Sequence, residues 1–203
     1  MPAIGITGGI STGKTTFGGY LRKLLPAAKV FDADVAAREL VSSDPEAKRE
    51  IQDRFGADIY SSDGDLNRSK LGAIVFADAR QRRLLEGILH PRIRLQWSDL
   101  AHRYRKSSEF FFADIPLLYE TGGETLCDWV VVVACSAEIQ RERLAAKTGL
   151  SPDRVDDMIS SQMDLKEKMK RARHVVWNNG GTDLLRQQTE TLVELWKNQR
   201  TIS

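Results

Sequence analysis

The stretch Gly8-Gly9-Ile10-Ser11-Thr12-Gly13-Lys14-Thr15-Thr16 has the spacing G-x-x-x-x-G-K-[ST], that of a phosphate-cradling P-loop. The chemistry such a loop serves is nucleoside triphosphate binding. Glycines let the backbone close on the phosphates, N–H groups converge on them, and the dipole of the following helix adds positive charge. Ser11, Thr12, Gly13, Lys14, Thr15 and Thr16 are therefore the nucleotide-binding candidates. Lys14 is placed to reach the β- and γ-phosphates, and the Thr15 hydroxyl to ligate Mg²⁺ bridging them. The expected donor is ATP with Mg²⁺.

Other charged residues fall where such chemistry could use them. Asp32 and Asp34 follow a stretch that reads as a short strand, Ala28–Phe31, and Asp114 closes an apolar one, Phe110–Ala113. Carboxylates at the C-terminal ends of strands lie on the edge where open α/β sheets bind ligands. Arg141 and Arg143 sit on a helical stretch after a further strand. A guanidinium there would stabilise charge on a transferring phosphoryl group, although arginines on a helix are more often solvated.

The elements that must position these residues follow from hydrophobic periodicity. Ala3–Thr7 reads as a short buried strand, and Phe17–Leu25 as a helix with Tyr20, Leu21, Leu24 and Leu25 at helical spacing. A helix from Val35 to Val41 puts Asp34 and Arg38 on one face. Asp44-Pro45-Glu46 starts another, with Asp as N-cap and Pro in the first turn, running to about Phe55. A polar loop to Asn67 precedes helices over Arg68–Phe76 and Arg80–Leu89. His90-Pro91 is expected to interrupt, with a new helix running to about Lys106. Trp129–Ala134, continuous and β-branched, reads as a parallel strand covered on both faces. Ala137–Lys147 is a helix stopped by Gly149, and Ser151-Pro152-Asp153 starts the next, in a charged run to about Arg173. His174–Trp177 is a last strand. Thr182 caps a final helix with Leu185, Leu192, Leu195 and Trp196 inward. Alternating strands and helices imply an α/β fold with a parallel, doubly wound sheet of about five strands. The helical excursion of about 35–106 is too long for a minimal crossover and reads as a substrate-binding insertion.

At 203 residues one domain is the default. A net charge of +2 gives no electrostatic reason to expect nucleic acid or a membrane surface. No apolar run reaches membrane-spanning length, and no signal peptide is read at the N-terminus. Cys127 and Cys135 lack metal or redox spacing and read as buried thiols, which fits a reducing cytoplasm. The tryptophans read as core, with Trp177 near an adenine pocket.

Five further stretches narrow the class. Asp32-Ala33-Asp34-Val35-Ala36-Ala37-Arg38 resembles the D-A-D-x-x-A-R signature of dephospho-CoA kinases. Asp114-Ile115-Pro116-Leu117-Leu118-Tyr119-Glu120 resembles that family's D-x-P-L-L-[FY]-E, Leu89-His90-Pro91 its L-H-P, and Asp63-Gly64-Asp65-Leu66-Asn67-Arg68 its D-G-x-L-x-R. Asn178-Asn179-Gly180 is similar to its N-x-G ending. Order and spacing follow the family from Ile4 to about Gly180.

The resemblance implies a three-layer P-loop kinase fold of one domain, with the insertion at about 35–106 and a helical lid at about 138–170. It implies transfer of the ATP γ-phosphate to the ribose 3′-hydroxyl of dephospho-CoA, the last step of coenzyme A synthesis. The expected partners are ATP and dephospho-CoA, with neither nucleic acid nor membrane. The expected protein is a cytoplasmic monomer or weak homo-oligomer. Asp34, Lys14 and Arg143 become the catalytic candidates, and Asp32, Arg38, His90, Tyr119 and Glu120 the acceptor-binding ones. A carboxylate within reach of the acceptor hydroxyl serves as base. Asp34 is preferred, Asp32 is the alternative, and one of the two can instead cap the helix that follows. Asp32 is also a candidate to hold Mg²⁺ through water. His90 reads equally as a substrate contact or as a cap beside Pro91. Asp114 reads as a Mg²⁺ contact or as a turn cap before Pro116.

The chain departs from the family's pattern at Ser11, where a glycine is usual, so that position must accept a Cβ. Lys147-Thr148 stands where Arg-Asp is frequent, and His174 where an acidic residue is common. Two rivals remain at this level: a kinase for another small acceptor, and a regulatory P-loop ATPase. The guanine-reading N-K-x-D motif is absent from the sequence.

Overall fold

The computed structural model describes residues 1–200. These divide into two compact units: Met1–Phe31 with the chain from Leu100 onward, and Asp32–Asp99.

The first unit is built on strands β1 (Ala3–Gly8), β3 (Phe111–Asp114), β4 (Trp129–Ala134) and β5 (His174–Trp177), joined by the edge strand β2 (Lys29–Asp32). The sheet is all-parallel, in the order β2-β3-β1-β4-β5. The registers place Ile6 beside Asp114 and Val131, so β1 is the centre. Every residue of β1 is buried, which is why its sequence is apolar without alternation.

Residues two apart along a strand share a face. Ile4 and Ile6, Phe110 and Phe112, Val131 and Val133, and Val176 form one continuous layer. Helix α1 (Lys14–Leu24) covers it with Phe17 and Leu21, and α9 (Thr182–Arg200) with Leu185, Leu192, Val193 and Trp196. Leu195 was expected inward but is 42% exposed, and Val193 takes that place. The inward stripe runs 185, 189, 192, 193, 196, and Leu195 lies to its side. Trp97 and Trp196 are core, whereas Trp177 is half exposed at the end of β5 and so departs from the reading of the tryptophans as core.

Helix α6 (Ala137–Thr148) starts at the Ser136 cap and ends at Gly149, whose φ of 67° is the left-handed conformation glycine supplies. The charged run beyond it is two helices, α7 (Pro152–Ser160) and α8 (Leu165–Arg171). Asp164 makes the break, accepting from the N–H groups of Lys166 and Glu167. Arg141 pairs with Asp156 at 2.6 Å and fastens α6 to α7.

The second unit holds α2 (Ala33–Ser43), α3 (Pro45–Phe55), α4 (Arg68–Ala77) and most of α5 (Ala79–Arg105). Asp32, Asp44 and Asn67 cap the first three with side-chain oxygens. His90-Pro91 does not interrupt: α5 is continuous through Pro91. The missing N–H and the ring cost the helix locally, but Ile88, Leu89, Ile93 and Trp97 are buried on both sides of the proline. That stripe can be buried together only if the helix carries on. The Arg92 guanidinium also donates to the Ile88 carbonyl at 2.8 Å. Among the described residues no helix is long and apolar enough to cross a membrane.

Both cysteines are free. Burial pushes the Cys127 thiol up to about 12, so it stays protonated at neutral pH. His174 lies edge-on to Trp129 and Trp196, with ring centroids 6.3 and 6.0 Å away. Burial, and after it the Arg173 guanidinium, hold its imidazole below the ordinary 6.5. As pH falls through about 6.5, the unfolded ring takes a proton and the folded ring resists. The unfolded state then binds more protons, so stability falls on the acid side. Urea midpoints should therefore drop between about pH 7.5 and about pH 5.5, and His174→Phe should shrink that drop.

Candidate active site

Strand β1 ends at Gly8 in the middle of the sheet, and α1 begins at Lys14. Between them the chain turns so that α1 opens with no side-chain cap at Gly13 and no acid in its first turn. The first N–H groups of any helix lack partners within it. Elsewhere Asp32, Asp44, Asn67, Ser136 and Asp164 supply an oxygen for that purpose. At α1 those donors and the positive end of the dipole are left for an anion.

The turn needs its special residues. Gly13 has φ 96°, and a Cβ there would lie 2.1 Å from the Asn178 side-chain nitrogen. Ser11 takes the left-handed conformation that glycine favours: its φ of 58° is the only positive value at a non-glycine among the described residues. That conformation costs an L-residue about 1–2 kcal/mol. The Ser11 hydroxyl is buried and has no hydrogen-bond partner. Ser11→Gly should therefore raise stability by up to about 1 kcal/mol, the relieved strain exceeding the added freedom of the unfolded chain. Urea unfolding checks this; a loss of stability would mean that the strain is absent. The Thr12 side chain is buried, its hydroxyl donating to the Gly9 carbonyl at 2.9 Å. Thr15 and Thr16 are exposed at the first turn of α1.

The Lys14 ammonium lies 2.7 Å from Asp114 Oδ1, with both side chains largely buried. Asp114 is the last residue of β3, set beside Ile6 of β1. The Thr15 hydroxyl and the Asp114 carboxylate are hard oxygen donors, the kind Mg²⁺ takes from a protein alongside phosphates. Among the described residues no group of three or more His, Cys, Asp or Glu forms a protein-only metal cage. The donors present thus fit an ion that arrives with a nucleotide.

Arg143 is half-buried on α6 and donates to the Asn178 carbonyl at 2.9 Å. Tyr119 and Glu120 turn towards α8. The Tyr119 ring carries the Arg171 guanidinium 4.4 Å from its centroid, and its hydroxyl is buried without a hydrogen bond. Glu120 pairs with Lys168 at 2.8 Å and accepts from the Met163 N–H at 2.8 Å.

In the other unit, Asp32 Oδ1 accepts from the N–H groups of Asp34 and Val35, each at 3.0 Å, and so caps α2. Asp34 and Arg38 are exposed on α2, and no ion pair joins them among the described residues. His90 is half-buried within α5 rather than at a helix junction, so its reading as a junction cap falls away.

Sequence reasoning passed over Gln140 and Lys168, both buried. Gln140 donates to the Ile10 carbonyl at 2.9 Å, and Lys168 to the Gly8 carbonyl at 3.4 Å. Asn178, marked in the sequence by its N-x-G motif alone, donates from its side chain to the Thr12 carbonyl at 2.9 Å. The charged run around Lys168 conceals which lysine is inside; the one signal is that Leu165, Lys168 and Met169 share a helical face.

A parallel sheet whose central strand runs through this loop into an uncapped helix, with a lysine and an acid at the loop, defines a P-loop nucleotide-binding protein. The dephospho-CoA kinase family model matches residues 2–183, and the chain belongs to that family. It is 43% identical over 194 residues to a dephospho-CoA kinase of Anaeromyxobacter dehalogenans, covering 95% of this chain and 91% of that one. Its structure is similar to that of TT1252 from Thermus thermophilus, with a TM-score of 0.73, 32% identity and coverage of 96% and 97% of the two chains. It is also similar to dephospho-CoA kinase from Campylobacter jejuni, with a TM-score of 0.69, 26% identity and coverage of 95% and 96%.

Proposed function

We propose that this chain transfers the γ-phosphate of ATP to the ribose 3′-hydroxyl of dephospho-CoA, giving CoA and ADP. The observation that carries the reading is the uncapped N-terminus of α1 with the Lys14–Asp114 pair at its loop, in a chain the family model matches nearly throughout.

The loop N–H groups from Ser11 to Thr16 bind the phosphates, and Lys14 moves charge from Asp114 onto the β- and γ-oxygens. Thr15 and Asp114 would hold Mg²⁺, which would supply further neutralisation of the phosphates. Arg143 adds positive charge near the transferring group. Asp34 accepts the proton of the acceptor hydroxyl. Asp32 is the weaker candidate for that role, because one of its oxygens is engaged by two backbone donors. Arg38 and His90 contribute to acceptor binding from the helical unit. Tyr119 and Glu120 act through their hold on α8. The segment of about 35–106 serves as the acceptor-binding insertion and that of about 138–170 as the lid. The reading is completed by a cytoplasmic monomer or weak homo-oligomer with no nucleic-acid partner.

The position of transfer is tested with the 3′-deoxyribose analogue of dephospho-CoA. It should bind and release no ADP above the rate seen without acceptor. Phosphorylation of the analogue would move the transfer to another oxygen.

A further inference from the structure

The carbonyl side of the phosphate loop is held by side chains from three separate later elements. Lys168 on α8 donates to the Gly8 carbonyl at 3.4 Å, Gln140 on α6 to that of Ile10 at 2.9 Å, and Asn178 after β5 to that of Thr12 at 2.9 Å. The Gly9 carbonyl takes the Thr12 hydroxyl at 2.9 Å. A trans peptide unit is planar, and its C=O and N–H point in opposite directions. Holding the carbonyls of Gly8, Gly9, Ile10 and Thr12 on the protein side therefore turns the N–H groups of Gly9, Ile10, Ser11 and Gly13 the other way. We propose that Lys168, Gln140 and Asn178 are positioning residues for nucleotide binding, which fix the loop's amides in their phosphate-receiving orientation. This rests on the reading that the loop takes the phosphates of ATP.

Packing alone does not explain these side chains. Gln140 and Asn178 lie so close that a Cβ on Gly9 would stand 2.6 Å from the Gln140 amide nitrogen, and one on Gly13 2.1 Å from that of Asn178. They occupy the faces that the glycines leave open. Lys168 is fully buried, and a buried charge is costly unless paired. Glu120 pairs with it at 2.8 Å, and the Pro116 carbonyl accepts from it at 3.1 Å. A hydrophobic residue of similar volume often serves stability as well as a buried ion pair does. What the ammonium adds is a donor at the loop's first carbonyl. Ser11 gives the loop a reason to need such ties. Its left-handed backbone is strained, and the tied peptide groups at Ile10 and Thr12 lie on either side of it. Because Gln140 and Lys168 belong to α6 and α8, the loop's shape is linked to the seating of both helices.

The test uses the full chain and the variants Gln140→Leu, Gln140→Glu and Lys168→Met. Mg·ATP affinity is titrated by fluorescence, KM is measured for both substrates, and melting is recorded without nucleotide. Gln140→Leu should weaken Mg·ATP binding about tenfold, with the KM for dephospho-CoA within twofold and the unliganded melting point little changed. Gln140→Glu keeps the shape but sets an acceptor against the Ile10 carbonyl, so its loss should be larger. Lys168→Met should show the same preference for the nucleotide side; should it fail to fold, the Gln140 pair carries the test alone. Variants that melt earlier yet bind Mg·ATP as the parent does would overturn the proposal and leave a structural role. A folded parent that binds no Mg·ATP would overturn both this and the reading beneath it.

Discussion

Lys14→Ala is expected to fold and to lose phosphoryl transfer by on the order of a thousandfold in kcat, the scale of removing a preorganised charge from a developing oxyanion. The loss should not be traceable to instability, although some destabilisation is expected. The ammonium lies 2.7 Å from Asp114, and both side chains are only 11–14% exposed. Taking it away removes the 2.7 Å ion pair from a mostly buried carboxylate, at about 1–3 kcal/mol. The two effects separate in a double variant. Asp114→Asn in the Lys14→Ala background should recover much of the melting point, because a neutral amide needs no counter-charge. It should recover no activity, because the phosphates still lack their lysine and the proposed Mg²⁺ site has lost its carboxylate. A double variant that regains turnover would show that Lys14 acts only as a partner to Asp114.

The second large effect concerns the two carboxylates after β2. Asp34→Asn should keep Mg·ATP affinity and lose turnover by roughly a hundredfold to ten-thousandfold, the range for a positioned general base. Asp32→Asn should be mild. One Asp32 oxygen already accepts from the Asp34 and Val35 N–H groups, and asparagine caps a helix about as well as aspartate. Asp32→Ala, which removes the cap, should cost about 1 kcal/mol of stability. If Asp32→Asn is the inactive variant and Asp34→Asn turns over normally, the base has been assigned to the wrong carboxylate.

Features set by local chemistry were legible in the sequence. The valine run of β4, the Asp44-Pro45 helix start, the Gly149 stop and the phosphate loop each follow from a few neighbouring residues. What the sequence hid depends on residues far apart. Pro91 carries a local signal to break a helix, but the buried stripe from Ile88 to Trp97 overrides it, and only tertiary packing shows that. Leu195 and Val193 are both apolar, and which faces inward is fixed by the helix's rotation against the sheet. At the site, the loop could be read as a motif, and so could the need for Ser11 to tolerate its Cβ. The props behind the loop could not. Lys168 is separated from Gly8 by 160 positions, and Gln140 from Ile10 by 130. A lysine in a run of lysines and glutamates reads as solvated surface until the fold closes over it. Tyr119 and Glu120 fall in the same class: their motif marks them, but it does not say that they face α8.

The measurement that bears most directly on the central claim is ADP release with Mg·ATP in the presence of dephospho-CoA, adenosine, a nucleoside monophosphate or shikimate, each alone. Mass spectrometry of the products accompanies it. The account predicts turnover with dephospho-CoA alone and a product with the mass of CoA. Turnover on another acceptor, with dephospho-CoA untouched, would contradict it while leaving the phosphate loop's role in place. ATP binding without turnover on any acceptor would contradict the transfer itself.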